Sequence, residues 1–246
     1  MKENSFKNQV VIVTGGTRGI GLDIAKQFYK MGASVYRTSR SNKKIIKGTN
    51  KKNFIKTLKV DFLKNQELSE FIKELNLMSR VDVLINNAGI NIISNIEEIA
   101  HNDWEKINHI NLKIPFMLSR IVIPKMKKNK YGRIINISSI FSEKSKEKRA
   151  SYSSSKAGLN GLTRASAIEV AKYNILINSI SPGFVKTQLT KKILTAKEIN
   201  LLEKQLPIKR FAEVRDISKL VVYLSGKDNT YLTGQNVIID GGFSIK

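Results

Sequence analysis

The regular alternation of short apolar segments with amphipathic segments most constrains the fold of this chain. Apolar, β-branched runs of strand length occupy residues 10–14, 34–38, 57–60, 81–86, 132–137, 175–180 and 236–239. Helical patterns lie between them, at residues 21–31, 66–75, 103–128, 150–173 and 214–225. Continuous apolar runs are typical of parallel strands that helices cover on both faces. The pattern predicts an α/β fold with one doubly wound parallel sheet of about seven strands.

The chain shows no sign of division into separate units. Its 246 residues fit one large α/β domain. It contains no linker rich in Pro, Gly or Ser, no internal repeat and no low-complexity segment. We therefore expect a single domain over residues 1–246.

Composition argues against several classes of site and location. The chain has no cysteine and only two histidines, His101 and His109, which argues against a disulfide framework and against a metal site. The polar start of the chain does not resemble a signal peptide, and no apolar run approaches the roughly 18 residues of a membrane span. We expect a cytoplasmic protein with no membrane partner.

The formal net charge of +23 raises the possibility of a nucleic-acid partner. However, the lysines are spread over nearly every segment and accompany heavy use of Ile and Asn. All three residues have A/T-rich codons, so genomic base composition explains the charge better than an anionic partner does. We expect no nucleic-acid partner; such a partner would bind tightly with a steep salt dependence.

A glycine-rich turn between the first strand and the first helix predicts a dinucleotide site and a Rossmann-type fold. Glycines at such a turn let the backbone approach a pyrophosphate, and the helix start offers free N–H groups. The spacing Gly-x-x-x-Gly-x-Gly departs from the commoner Gly-x-Gly-x-x-Gly, but the position after a strand and before a helix is the required one. The predicted contacts here are Gly15, Thr17, Arg18, Gly19, Ile20 and Gly21.

The end of the second strand favours NADP(H) over NAD(H). An acidic residue there would bind the ribose 2′-hydroxyl of NAD, but the segment contains Ser39 and Arg40 and no acid. Arg40, together with Arg18, could bind a 2′-phosphate through bidentate contacts. Lys43 and Lys44 would strengthen the positive field.

Tyr152 and Lys156 indicate acid–base chemistry. Four residues apart on a helix, their side chains lie on one face, where the ammonium would stabilise a phenolate and lower the pKa of Tyr152. Ser139, thirteen residues earlier, could hold a carbonyl oxygen while Tyr152 protonates it. Alone, such a pair is more often a solvated helix face.

Pro115 interrupts the helical pattern at 103–128. Because proline has no N–H, the carbonyl of Asn111 loses its helical partner and could bind water. A simple kink, or Pro115 and Pro124 marking helix ends, explains the pattern equally well.

Taken together, these segments resemble the short-chain dehydrogenase/reductase family over essentially the full chain. The matching pieces occur in the family's order, at residues 14–21, 61, 86–89, 111, 139, 152, 156, 182–183 and 240–242. The resemblance implies a ketone reductase with Asn111, Ser139, Tyr152 and Lys156 as its catalytic residues. Tyr152 would be the general acid, and Asn111 would hold a relay water, which favours a functional role for Pro115.

The resemblance also implies the remaining cofactor contacts and the assembly. Tyr152 and Lys156 would touch the cofactor as well as the substrate. Further contacts would come from Asp61, Phe62, Asn87, Ala88, Gly89, Pro182, Gly183, Val185 and Thr187. The helical segments 103–128 and 150–173 would pack against their copies in a homotetramer or homodimer.

Within the family the chain is most similar to 3-oxoacyl-acyl-carrier-protein reductases, through residues 131–138 and 231–235. An acidic carrier would be attracted by lysines expected near the cleft mouth: Lys125, Lys127, Lys128, Lys130 and Lys172. Two segments depart from those reductases, the apolar run 90–93 and the charged run 142–149. Arg149 or Lys146 could bind a polar or anionic substrate such as a sugar-derived ketone, but a solvated loop in a lysine-rich chain explains the charged run better. Residues 188–206 would form a lid. A non-catalytic binding protein on this scaffold is the alternative that the intact catalytic residues disfavour.

Overall fold

A computed structural model describes residues 5–41, 53–188, 190 and 194–246, together with the backbone of residues 44–47. Its strands are β1 Val10–Val13, β2 Ser34–Ser39, β3 Lys44–Lys47, β4 Phe54–Lys59, β5 Val83–Asn86, β6 Gly132–Ile137, β7 Ile175–Pro182 and β8 Asn236–Ile239. They form one sheet in the order β3-β4-β2-β1-β5-β6-β7-β8. Seven of these strands are parallel, as the sequence predicts; β3, which the sequence analysis does not predict, pairs antiparallel with β4 at the edge.

Helices cover both faces of the sheet. They are α1 Gly19–Lys30, α2 Asn65–Leu77, α3 His101–Asn108, α4 Ile114–Asn129, α5 Ala150–Val170, α6 Ala196–Gln205 and α7 Val214–Ser225. No helix in the described part of the chain is both long and apolar enough to cross a bilayer.

The two faces of the sheet build two apolar cores, because successive side chains of a strand point to opposite faces. In β1, Val11 and Val13 join the core with α1 and α7, whereas Ile12 joins the core with α2, α4 and α5. Phe28 and Leu118 are fully buried, one in each core, and burial of such a side chain contributes about 1.5–3 kcal/mol. This packing confirms the doubly wound α/β fold.

The single helix expected at 103–128 is instead two helices with a wider turn between them. α3 ends at Asn108, a π-helical turn occupies His109–Lys113, and α4 begins at Ile114. Pro115 lies in the first turn of α4, where its missing N–H leaves the Asn111 carbonyl without an α-helical partner, and Pro124 lies inside that helix.

The strand order places a crevice at one edge of the sheet. From β1 the chain goes outward through β2 on one side, and β5 takes the other side. Connections after β1 and β5 therefore diverge, and a crevice opens at the carboxyl ends of these strands, where ligands of such sheets bind.

Candidate active site

The glycine-rich turn lies at this crevice and is held from two sides. The N–H of Gly15, which has a φ of +64°, donates to Thr38 Oγ1 at 3.0 Å. Asn87 donates from Nδ2 to the carbonyls of Thr14 at 2.9 Å and Gly15 at 3.2 Å. A Cβ at Gly21 would collide with Asn87 and with the Gly15 carbonyl, so only glycine fits there.

The start of α1 fits an anionic group. Arg18 precedes the helix without a side-chain cap, and the first turn has no acidic residue. The free N–H groups and the positive end of the helix dipole are thus available to a pyrophosphate. Thr17, which donates to Ser39 Oγ at 3.3 Å, and Gly19 line this turn, whereas Ile20 packs against the core.

Two exposed arginines stand where a 2′-phosphate is expected. Arg18 follows the end of β1 and Arg40 follows the end of β2, which is its neighbour in the sheet. Neither forms an ion pair within the described residues. Lys43 lies outside the described residues, as does the side chain of Lys44.

A buried arginine that the sequence analysis missed donates a hydrogen bond to the glycine-rich turn. Arg37 is 8% exposed and donates from Nε to Thr57 Oγ1 at 2.9 Å and from Nη1 to the Gly16 carbonyl at 3.4 Å. Burial lowers the pKa of its guanidinium. The detectable signal was a charged residue in the middle of a predicted inner strand.

The third predicted cofactor segment follows β4. Asp61 Oδ1 accepts from the N–H of Leu63 at 3.1 Å. The side chain of Phe62 is buried against Phe71, with ring centroids 6.0 Å apart. Any cofactor contact at Phe62 is therefore left to its backbone.

Residues 87–89 connect the glycine turn with the catalytic groups. The N–H of Ala88 donates to Thr14 Oγ1 at 2.9 Å. A Cβ at Gly89 would lie 3.3 Å from Asn111 Oδ1 and 3.5 Å from Lys156 Nζ. Gly89 thus directly adjoins the catalytic side chains.

The segment after β7 also reaches the glycine-rich turn between β1 and α1. Pro182 ends β7, Gly183 allows a close approach of Asp240, and Val185 is buried and bridges to Ala212. Thr187 lies beside Gly19: a Cβ on that glycine would be 3.6 Å from Thr187 Cγ2.

The four predicted catalytic residues come from three neighbouring elements. Tyr152 and Lys156 lie in the first two turns of α5, with Lys156 Nζ 5.8 Å from the centre of the Tyr152 ring. Lys156 is 4% exposed and donates to the Ile137 carbonyl at 2.7 Å. Ser139 lies two residues after the end of β6, and a hydrogen bond with its hydroxyl lowers the pKa of the Tyr152 phenol.

Asn111 lies in the π-helical turn. Its Nδ2 donates to the Ile90 carbonyl at 2.9 Å and to Ser155 Oγ at 3.0 Å, and its Oδ1 accepts from the Ile90 N–H at 2.9 Å. These bonds occupy the side chain. A water relay would therefore use the backbone carbonyl of Asn111, the group that Pro115 cannot cap.

The protonation states differ from the expectation for Tyr152. Burial raises the pKa of its phenol, although the hydrogen bond with Ser139 and the charge of Arg149 act in the opposite direction. Burial lowers the pKa of Lys156 from 10.5 to about 8. The free protein thus holds a protonated Tyr152 beside a charged Lys156 at neutral pH, which suits a general acid.

The lysines expected near the cleft mouth lie elsewhere. Lys127 and Lys130 belong to the end of α4, just before the amino end of β6, and Lys172 lies just before the amino end of β7. The site lies at the carboxyl ends of these strands. The lysines are therefore at the opposite edge of the sheet, and the expectation was wrong.

Comparisons with known proteins agree with this geometry. The family model described as short chain dehydrogenase matches residues 9–198. A 3-oxoacyl-[acyl-carrier-protein] reductase of Rickettsia bellii is 36% identical, covering 96% of this chain and 97% of that protein.

Solved structures of similar proteins cover nearly the whole chain. A candidate NAD(P)-dependent gluconate 5-dehydrogenase of Beutenbergia cavernae, with NADP bound at low occupancy, is 28% identical with a TM-score of 0.90 and full coverage of both chains. A 4-hydroxyisoleucine dehydrogenase complexed with NADH is 29% identical with a TM-score of 0.87, covering 97% of this chain and 100% of that chain. The chain belongs to the short-chain dehydrogenase family and is an oxidoreductase acting on CH–OH or C=O groups with NAD(P).

Proposed function

We propose that the protein reduces a ketone to a secondary alcohol with NADPH, with Tyr152 as the general acid. The observation that carries this proposal is the buried Lys156 ammonium, anchored on the Ile137 carbonyl at 2.7 Å beside the Tyr152 ring and Ser139. When bound, NADPH supplies the hydride. The whole chain, residues 1–246, acts as one catalytic domain in this proposal.

Each catalytic residue has a distinct task in the proposed reaction. The Ser139 hydroxyl donates to the substrate carbonyl oxygen and orients it. Tyr152 gives its phenolic proton to that oxygen, and the Lys156 charge stabilises the phenolate that remains. The Asn111 carbonyl holds a water through which the proton on the tyrosine is replaced.

Preference for NADPH over NADH rests on Arg40 and Arg18. Arg18 is exposed directly before α1, and Arg40 is exposed directly after β2. No acidic residue lies in the segment 37–41, where NAD-specific sites place one. Two guanidinium groups suit a 2′-phosphate. The glycine turn, Asp61, residues 87–89 and the segment 182–187 would hold the rest of the cofactor.

The first substrate class we propose is a 3-oxoacyl thioester, free or on an acyl carrier. It is supported by the reductase of Rickettsia bellii, which matches nearly the full chain. A polar, acid-bearing or sugar-derived ketone is the second class. It is supported by the charged run 142–149 beside the site and by the gluconate and 4-hydroxyisoleucine dehydrogenases among the structural neighbours.

A substrate panel with NADPH tests the proposal. Purified protein is incubated with NADPH and either acetoacetyl-CoA or a sugar-derived ketone, and loss of NADPH absorbance is followed. Turnover should fall by at least about a hundredfold in Tyr152→Phe. Absence of turnover with every 3-oxoacyl thioester would remove the first class; full activity of Tyr152→Phe would disprove the mechanism.

We also propose that the protein forms a homotetramer or homodimer through α4 and α5. Phe116 on α4 is 45% exposed and Ile168 on α5 is 83% exposed. A second copy of the same helices would cover these apolar side chains.

A further inference from the structure

Arg149 lies beside the catalytic tyrosine. It is the last residue before α5, and Tyr152 is three residues further on, so the two side chains leave the same side of the helix start. The charge of Arg149 lowers the pKa of Tyr152, against the larger effect of burial. Phe141 completes the group, 5.9 Å from the guanidinium and 6.5 Å from the tyrosine ring.

The positive charge of Arg149 has no counter-charge within the described chain. Arg149 forms no ion pair there, and the first turn of α5 has no acidic residue. Its Nη1 donates only to the carbonyl of the adjacent Lys148, at 3.4 Å, and its Nε is buried without a partner. A cation at the positive end of a helix dipole is also unfavourable. An anion from outside the chain would supply the counter-charge that Arg149 lacks.

The other charged residues of this loop are engaged elsewhere or stay in solvent. Glu143 accepts from Asn160 at 3.1 Å and from Asn236 at 2.9 Å. Lys146 is exposed, and its charge acts on Glu198 of α6, whose pKa is lowered first by bonds with Thr195. Glu147 is exposed. Of the two residues the sequence singled out for substrate binding, the geometry therefore selects Arg149.

We propose that Arg149 binds a carboxylate of the substrate and makes the enzyme prefer a free oxo acid over a neutral ketone. The inference rests on the proposed function and, of its two substrate classes, favours the second, an acid-bearing ketone. A guanidinium binds a carboxylate through two parallel hydrogen bonds. Side chains one helical turn apart are roughly 5–6 Å apart at Cβ, so the carboxylate would lie only a few carbon atoms from the reacting carbonyl.

A charge-matched substrate pair tests the role of Arg149. The value of kcat/KM is measured with NADPH for acetoacetate and for its neutral methyl ester. The wild type should prefer the acid at least about tenfold. The acid-to-ester ratio should fall by about ten- to a hundredfold in Arg149→Met and recover in part in Arg149→Lys, as expected for a lost charge-assisted contact. Lys146→Met is the matched control and should keep the wild-type ratio. Equal ratios in wild type and Arg149→Met would overturn the proposal.

A binding measurement separates this inference from the proposed reaction. In the presence of NADP, butanoate should raise the Tm of the wild type but not of Arg149→Met, whereas neutral butanamide should raise neither. An absence of stabilisation by butanoate in the wild type would count against Arg149 as a carboxylate site. Turnover of the ester without any preference for the acid would reject the role of Arg149 alone; turnover of no ketone would reject the proposed function.

Discussion

At the residue scale, the site depends on burying a lysine that would be more stable in water. Lys156 is 4% exposed, and burial lowers its pKa from 10.5 to about 8. Desolvation disfavours the charged form, so the folded protein binds the Lys156 proton more weakly than the unfolded chain does. The ammonium that serves the proposed chemistry therefore reduces stability at neutral pH.

Comparison of the wild type with Lys156→Met should reveal the cost of burying the Lys156 charge, as a difference in unfolding free energy that changes with pH. Between pH 8 and 10.5 the unfolded chain keeps the Lys156 proton while the folded protein loses it, so wild-type stability gains with rising pH. Relative to Lys156→Met, the unfolding free energy of the wild type should rise by up to roughly 3 kcal/mol across this range. Urea unfolding of both proteins at several pH values measures the difference. A difference that does not change with pH would contradict the prediction.

Arg40→Asp should change the cofactor preference. The substitution replaces a cation at the end of β2 with the kind of residue that binds a ribose 2′-hydroxyl. The KM for NADPH should rise at least about tenfold, equivalent to roughly 1.4 kcal/mol, and the KM for NADH should change much less. Lys26→Asp, on the exposed side of α1, carries the same charge change and should leave the ratio of the two constants as in the wild type.

At the element scale, the π-helical turn at His109–Lys113 sets Asn111 apart from an ordinary helix. The N–H of Ile114 bonds to the carbonyl of His109, five residues earlier, which widens the backbone at this point. Such turns occur often at functional sites. Here the Asn111 side chain bonds to both the N–H and the carbonyl of Ile90. The backbone carbonyl of Asn111 lies four residues before Pro115, which has no N–H to donate to it.

Pro115→Ala should test the turn as part of the proton relay. An N–H at position 115 could bond to the Asn111 carbonyl and restore regular helix, removing the acceptor for the proposed water. We expect kcat to fall by about tenfold, with little change in KM or in Tm. Pro124→Ala, in the same helix but away from Asn111, is the control and should retain kcat. A Pro115→Ala enzyme with wild-type kcat would remove the relay from the mechanism.

Prediction from sequence succeeded where a pattern is local and stopped where the structure depends on distant partners. The parallel strands were predictable because their apolar runs are continuous, and Pro115 marked the break in the helix. β3 was missed because a four-residue edge strand exists only through its pairing with β4. The raised pKa of Tyr152 and the support from Arg37 depend on burial, which the sequence does not state.

At the scale of the whole molecule, the exposed apolar residues of α4 and α5 contrast with the heavy positive charge of the chain. A net charge of +23 disfavours association of like molecules. An assembly of copies must therefore depend on apolar contact strong enough to offset that repulsion. Added salt screens such repulsion, so assembly should strengthen with ionic strength.

Ile168→Glu should weaken the assembly. A carboxylate buried between two copies of α5 carries a desolvation cost that the partner cannot offset with another carboxylate. Light scattering after size-exclusion chromatography should show a smaller species than the wild type. Leu77→Glu, a matched change at an 87% exposed position at the end of α2, should leave the mass unchanged. A wild type that is monomeric at all concentrations would disprove the assembly.

The three residues Asn87, Ala88 and Gly89 fix the distance between the two halves of the site. At one end Asn87 and Ala88 hold the glycine turn, and at the other Gly89 abuts Asn111 and Lys156. Surface loops usually absorb insertions and deletions. This connection has no such freedom: one residue more or fewer would disturb cofactor binding and proton transfer together. Variation in length that alters the substrate range must therefore occur in other loops.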